Sequence, residues 1–183
     1  MKTCKQMMRV LTAAIVGAVF VAPVARAAGI APEADFKATF HLFNEPEKSL
    51  PTSGGATVEI MEEKAVYTND AGRGFLHDAT GRCLVMGTSD DHGFHYNGYC
   101  TYVDLDGDLI YSKFDIGRAG DQPVKAIKAY TGGTGKYSGL TGSADYTVTR
   151  LKNLDKNAPS ILEGHVQGHY RIQASVAQSK APQ

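Results

Sequence analysis

The stretch Gly81–Ile116, GRCLVMGTSDDHGFHYNGYCTYVDLDGDLIYSKFDI, decides the fold. Two strand-forming runs, Gly81–Thr88 and Phe94–Asp104, flank Ser89-Asp90-Asp91-His92-Gly93, a cluster of turn formers. A hairpin centred between Asp91 and His92 pairs residues whose numbers sum to 183, and Cys83 and Cys100 are such a pair. Directly opposed residues of a non-hydrogen-bonded antiparallel pair have Cβ atoms close enough to carry a disulfide. Further on, Asp106-Gly107 is a type I′ turn signal that joins the second arm to Leu109–Ile116. The stretch therefore reads as three antiparallel strands, two of them stapled by sulfur.

Outward from this hairpin the same period-two pattern recurs. Phe36, Ala38, Phe40 and Leu42 share one strand face, with Lys37, Thr39 and His41 on the other. Val58 and Ile60 begin a further strand, and Lys64–Asn69 and Gly74–His77 read as shorter pieces around Asp70-Ala71-Gly72. Val124–Thr131, Gly142–Leu151 and Gly164–Gln173 complete the set. No window longer than two turns has helical periodicity beyond the leader. The 183 residues, 43% hydrophobic and 21% charged, make one domain. The expected fold class is all-β: a single closed antiparallel barrel of eight to nine strands, closure removing exposed edges. A two-sheet sandwich is the alternative. An outer-membrane barrel fits the length and alternation but not the absence of Trp or the charged outward positions.

The N-terminus reads separately. Lys2, Lys5 and Arg9 precede the uncharged run Val10–Val21, and Ala25-Arg26-Ala27 places a small residue at each position a signal peptidase inspects. The expected organisation is a cleaved signal peptide at 1–27, a short linker at 28–33, the barrel at 34–174 and a disordered tail at 175–183. Cleavage removes four basic residues and no acid, so a formal charge of zero becomes −4. Without a basic cluster, nucleic acid is excluded as a partner, and stable membrane insertion is not expected. The expected location is periplasmic or secreted, where a lone cysteine pair is most simply a disulfide.

Tyr130–Gly142, YTGGTGKYSGLTG, resembles a phosphate cradle only superficially. A P-loop has four positions between its glycines and a hydroxyl residue after its lysine, whereas Tyr137 follows Lys136 here. The glycines read instead as a wide turn with Tyr137 as a plug. This GGTG-K-Y-x-G-x-x-G turn, with the preceding YCTYVDLDGDLIYSKF (Tyr99–Phe114), resembles the allene oxide cyclase and dirigent family of calycin-like barrels, as a bacterial exported member. The resemblance covers roughly Gly74–Tyr146. It implies an eight-stranded barrel that holds a small hydrophobic molecule and dictates the stereochemistry of its cyclisation or coupling. It also implies a homo-oligomer, often a trimer in the plant members. No catalytic position of the family maps onto this sequence.

The remaining constellations have plain structural readings. Asp104-Leu105-Asp106-Gly107-Asp108 has an acid density suited to calcium, but its glycine is fourth where an EF-hand loop needs it sixth, so a solvated hairpin tip is expected. His165 and His169, four apart on a strand, stand about 13 Å apart and cannot share one ion. His92 and His95 lack an evident third ligand, so no metal site is assigned. No nucleophile elbow is present, and Glu59, Glu62 and Glu63 read as a charged strand end.

The disulfide and the Asp106-Gly107 turn together predict which residues share a face. Cys83, Val85, Tyr96, Cys100, Tyr102, Tyr111, Lys113 and Asp115 form one set. Arg82, Leu84, Met86, His95, Asn97, Tyr99, Thr101, Val103, Ile110, Ser112, Phe114 and Ile116 form the other, and its aliphatic content places it inside. Arg82, Asn97 and Tyr99, joined by Tyr146 and Tyr170, are then polar groups in an apolar cavity and the candidate ligand-binding residues. Two functions follow from different classes. One is a pocket protein that binds a small hydrophobic molecule and directs its cyclisation or isomerisation without metal or organic cofactor. The other is a non-enzymatic interaction module with a filled barrel.

Overall fold

The computed structural model describes residues 30–120, 124–151 and 160–173, without the side chains of 44–47 and 160. The signal peptide and C-terminal tail expected from the sequence lie outside the described residues. Alternating sequence becomes eight strands: β1 (Glu33–Pro51), β2 (Thr57–Asn69), β3 (Ala79–Asp90), β4 (Gly93–Val103), β5 (Leu109–Ala119), β6 (Lys125–Gly133), β7 (Leu140–Arg150) and β8 (Ser160–Ile172). Each is hydrogen-bonded antiparallel to its neighbours in chain order, and β8 pairs with β1, so the sheet closes into a barrel. Gly74–His77 is not a strand piece. It belongs to the β2–β3 loop, in which Leu76 and Asp78 take left-handed conformations with φ of 62° and 50°.

The β3–β4 hairpin has the register expected from the sequence. Cys83 lies opposite Cys100 with Cα atoms 4.1 Å apart, and the two are disulfide-bonded. The next hairpin differs by one residue. The Asp104 carboxylate accepts hydrogen bonds from the backbone N–H groups of Asp106 and Asp108, at 2.9 and 3.0 Å, and the Asp104 N–H donates to the Asp108 carbonyl. Gly107 sits at φ 85°. The loop therefore holds three residues, Leu105-Asp106-Gly107, rather than the two of a type I′ turn. Tyr102 consequently faces Ile110, and Cys100 faces Ser112.

A one-residue shift of register moves every side chain to the opposite face. The inward residues are Cys83 and Val85 on β3, Cys100 and Tyr102 on β4, and Ile110, Ser112 and Phe114 on β5, all buried. The expectation that Arg82, Leu84, Met86, His95, Asn97, Tyr99, Thr101 and Val103 line the interior is thus corrected: they stand on the outer face. Leu84, Met86 and Tyr99 are 56%, 53% and 72% exposed. Glycine explains the choice of face. A Cβ at Gly81 would lie 2.1 Å from the Tyr102 ring, and one at Gly98 would lie 2.6 Å from Phe114. The inward phase is built of large rings lying over glycines, so it scores as less apolar than the outer phase while filling more volume.

Phe36, Ala38, Phe40 and Leu42 are buried as expected. So are Tyr146 and Tyr170, with Ala144 and Val166 on the same phases. The β2–β3 loop seals one end of the barrel. Phe75 stacks on Tyr170 at 4.5 Å and meets the edges of Phe36 and Tyr130 at 4.9 Å each. The Asn69 side-chain amide holds the loop by donating to the Phe75 carbonyl at 2.8 Å. Toward the other end the inward-facing Met61, Ile116, Val148 and Leu162 are only partly buried. Ala34 and Ile172 at the first rim are partly buried too, so the open end is defined among the described residues alone, none of whose loops packs a side chain into it as Phe75 does into the other.

Candidate functional site

The site is a polar cluster inside an apolar barrel. β6 alternates Ala126, Lys128 and Tyr130 inward, and Lys128 is 4% exposed. Its ammonium donates to the hydroxyls of Tyr67 (β2) and Tyr102 (β4), each at 2.7 Å. The rings of Tyr102, Tyr67, Tyr146 and Phe40 surround it at 5.1, 5.2, 5.5 and 5.8 Å from Nζ to centroid. The Tyr67 and Tyr102 rings meet the ammonium at their hydroxyl edges, so cation–π attraction is left to Tyr146 and Phe40 and offsets only part of the cost of burial. Ser112 Oγ donates to the Tyr102 hydroxyl at 3.3 Å, and Cys83 Sγ lies 4.0 Å from the same oxygen. The disulfide thus props the ring that props the lysine.

Glu63 stands two inward positions nearer the open end of β2 than Tyr67. Burial pushes its carboxyl up to about 7, against the attraction of Lys128. Burial and neighbouring phenols hold the Tyr67 hydroxyl well above its ordinary range, and burial raises Tyr130 and Tyr146 as well. These phenols stay protonated and act as hydrogen-bonding groups. The Tyr130 hydroxyl is buried without a hydrogen-bond partner among the described residues. Together the groups can hold an oxygen function of a ligand and move one proton near neutral pH through Glu63.

The sequence candidates are dispersed by this geometry. The Arg82 guanidinium lies outside and bonds the Glu62 carboxylate at 2.7 Å. Asn97 and Tyr99 are exposed on the outer face of β4. Tyr146 is inside and lies beside Lys128, whereas Tyr170 belongs to the sealed end. Lys128 and Tyr67 are not among the residues singled out in the sequence, while Glu63, expected in a charged strand end, and Tyr102, expected on the outer face, are corrected to the interior. The signal available was the phase of β6, where Lys128 falls in register with Ala126 and Tyr130, but Ile127 on the opposite phase obscured it.

The glycine turn and the acidic hairpin tip prove to be two halves of one contact. Lys136 Nζ pairs with the Asp104 carboxylate at 2.6 Å and with that of Asp106. The Lys136 N–H donates to Asp108 at 3.1 Å, and Thr134 Oγ1 accepts from the Leu109 N–H at 2.8 Å. A protein ammonium thus occupies the place where the acid density suggested a cation, and Tyr137 is buried as the expected plug. A Cβ at Gly135 would collide with Asp108 at 1.8 Å. Among the described residues no group of three or more His, Cys, Asp or Glu could hold a metal ion. His95 pairs with Asp115 at 2.8 Å, and His169 lies between Asp35 and Glu33.

No family model matches the sequence, and no curated protein matches it. Among solved structures the chain is similar to the pterocarpan synthase dirigent protein GePTS1, at 16% identity over 78% of this chain and 87% of that one, with a TM-score of 0.40. The functional reading therefore rests on the side chains inside this barrel. The disulfide fits folding in an oxidising compartment. No described helix is long and apolar enough to cross a membrane.

Proposed function

We propose that this is an exported barrel, periplasmic or secreted, that binds a small and largely apolar molecule through its open end. An oxygen function of the ligand sits at Lys128, Tyr67 and Tyr102, and its body lies against Tyr146, Phe114 and the half-buried aliphatics. The observation that carries this reading is the buried Lys128 ammonium, hydrogen-bonded to two phenols and set among aromatic rings beneath inward side chains that are only partly buried. A lysine in such a place is costly for stability alone. With a reactive ligand, confinement in one conformation directs cyclisation or isomerisation without a cofactor, as the resemblance to allene oxide cyclases and dirigent proteins implies. Native mass spectrometry of the protein from its own host tests this. A co-purified small molecule is expected with the wild type and absent from Lys128→Met. Failure to bind any member of an apolar-ligand panel refutes the pocket.

A second reading follows from the outer face. Leu84, Met86 and Tyr99 are each more than half exposed on the neighbouring strands β3 and β4, which suits an interface with a protein or with further copies of the chain. The homo-oligomer implied by the family resemblance belongs to this reading. Sedimentation of wild type against Tyr99→Glu separates the two: a fall in mass supports the interface, and unchanged monomers refute it.

A further inference from the structure

Two of the three donors of the Lys128 ammonium are used, both by neutral phenols. No described carboxylate lies at ion-pair distance from it. The groups facing the same lumen are few. Glu63 comes from β2, Tyr102 from β4, Tyr130 from β6 and Tyr146 from β7. The inward residues of β1 (Phe40, Leu42), β5 (Ser112, Phe114) and β8 (Val166) carry no charge, and Cys83 of β3 is tied in the disulfide. Glu59, nearer the mouth, is hydrogen-bonded by the Tyr96 hydroxyl. Among the described residues the interior thus holds one buried ammonium and, apart from Glu59 bound to Tyr96 nearer the mouth, one carboxylate facing it, Glu63. The unpartnered Tyr130 hydroxyl leaves a further donor unused at its floor.

We infer that the pocket selects organic anions and that binding is coupled to a proton on Glu63: the ligand's charge replaces the Glu63 carboxylate as the counter-ion of Lys128. This inference rests on the pocket reading above. In a low-dielectric lumen two anions facing one ammonium leave an uncompensated charge, so an anionic ligand enters with Glu63 protonated. No bond is made or broken. Above the range where Glu63 titrates, complex formation takes up one proton from solution, and the ligand remains the anion. With Glu63 titrating near 7, affinity is expected to fall about tenfold between pH 6 and pH 8.

The test uses 2-naphthoate and the uncharged 2-naphthalenemethanol as probes, titrated calorimetrically into the disulfide-intact protein at pH 6 and pH 8, in buffers of different ionisation enthalpy. Expected results are preference for naphthoate, uptake of close to one proton at pH 8 and almost none at pH 6. In Glu63→Gln both the pH dependence and the proton uptake disappear. If the alcohol binds as well as the acid, charge selection is refuted while the pocket stands. If naphthoate is preferred but its affinity is flat with pH and no proton is taken up, the coupling is refuted. If neither probe binds, the pocket reading fails with the inference. Lys128→Met, checked for fold by near-ultraviolet circular dichroism, is expected to lose the preference for the acid. Wild-type proton uptake decides the coupling even where that variant is unstable.

Discussion

Glu63→Gln in the ligand-free protein makes a stability experiment whose sign and size follow from the structure. The Glu63 carboxyl is displaced from 4.5 to about 7 by burial, so the folded state favours its neutral form. For an acid raised in this way, folding carries no penalty below pH 4.5, where the group is protonated both folded and unfolded. The penalty grows as the unfolded chain ionises and levels off above pH 7, once the folded form has ionised too. The full displacement corresponds to about 3 kcal/mol, and solvent entering at the open end lowers that to about 2. Glutamine keeps the shape and does not titrate. Urea unfolding of both proteins at half-unit steps from pH 4.5 to pH 8 should give a difference curve in which the variant gains about 2 kcal/mol on the wild type. Other titrations, such as that of His169, which its two carboxylate partners hold above its ordinary range, are common to both proteins and cancel. Parallel curves across this window would refute the placement of Glu63 inside the barrel and the inference built upon it.

Three further outcomes are expected. Reduction of Cys83–Cys100, or the double alanine variant, should cost about 3 kcal/mol in the same assay, the chain-entropy value for closing a loop of this size. Tyr130→Phe removes a buried hydroxyl that has no partner, so thermal unfolding should shift upward by the equivalent of about 1 kcal/mol; a loss of stability would mean the hydroxyl is bonded in solution. Lys136→Met strands the Asp104 carboxylate, whose side chain is 7% exposed, and should lower stability by about 2 kcal/mol, seen as a drop in Tm that acidification to pH 3 diminishes.

Some of this protein was legible from its residues in order. Alternation and turn formers specify strands because a pleated backbone sends successive side chains to opposite faces, and that periodicity is local. The Cys83–Cys100 pairing was legible because one turn cluster separates the arms and fixes their pairing. The burial of Phe36, Phe40, Tyr146 and Tyr170 was legible because their strands carry apolar residues on one phase. The interior of the three-strand stretch was not, since β3 and β4 carry apolar residues on both phases. The decision there passed to Asp104, whose carboxylate gathers two backbone N–H groups and lengthens the loop by one residue.

By itself the sequence determined an all-β chain with a sulfur-stapled hairpin and a glycine turn. Those features depend on neighbours in the chain. Only the closed barrel decided that Lys128 meets Tyr67 and Tyr102, residues 61 and 26 positions away, and that Lys136 answers the acids of the hairpin tip. Curvature and closure bring opposite walls within reach of one side chain, and no local pattern encodes which residue of one wall stands across from which of another.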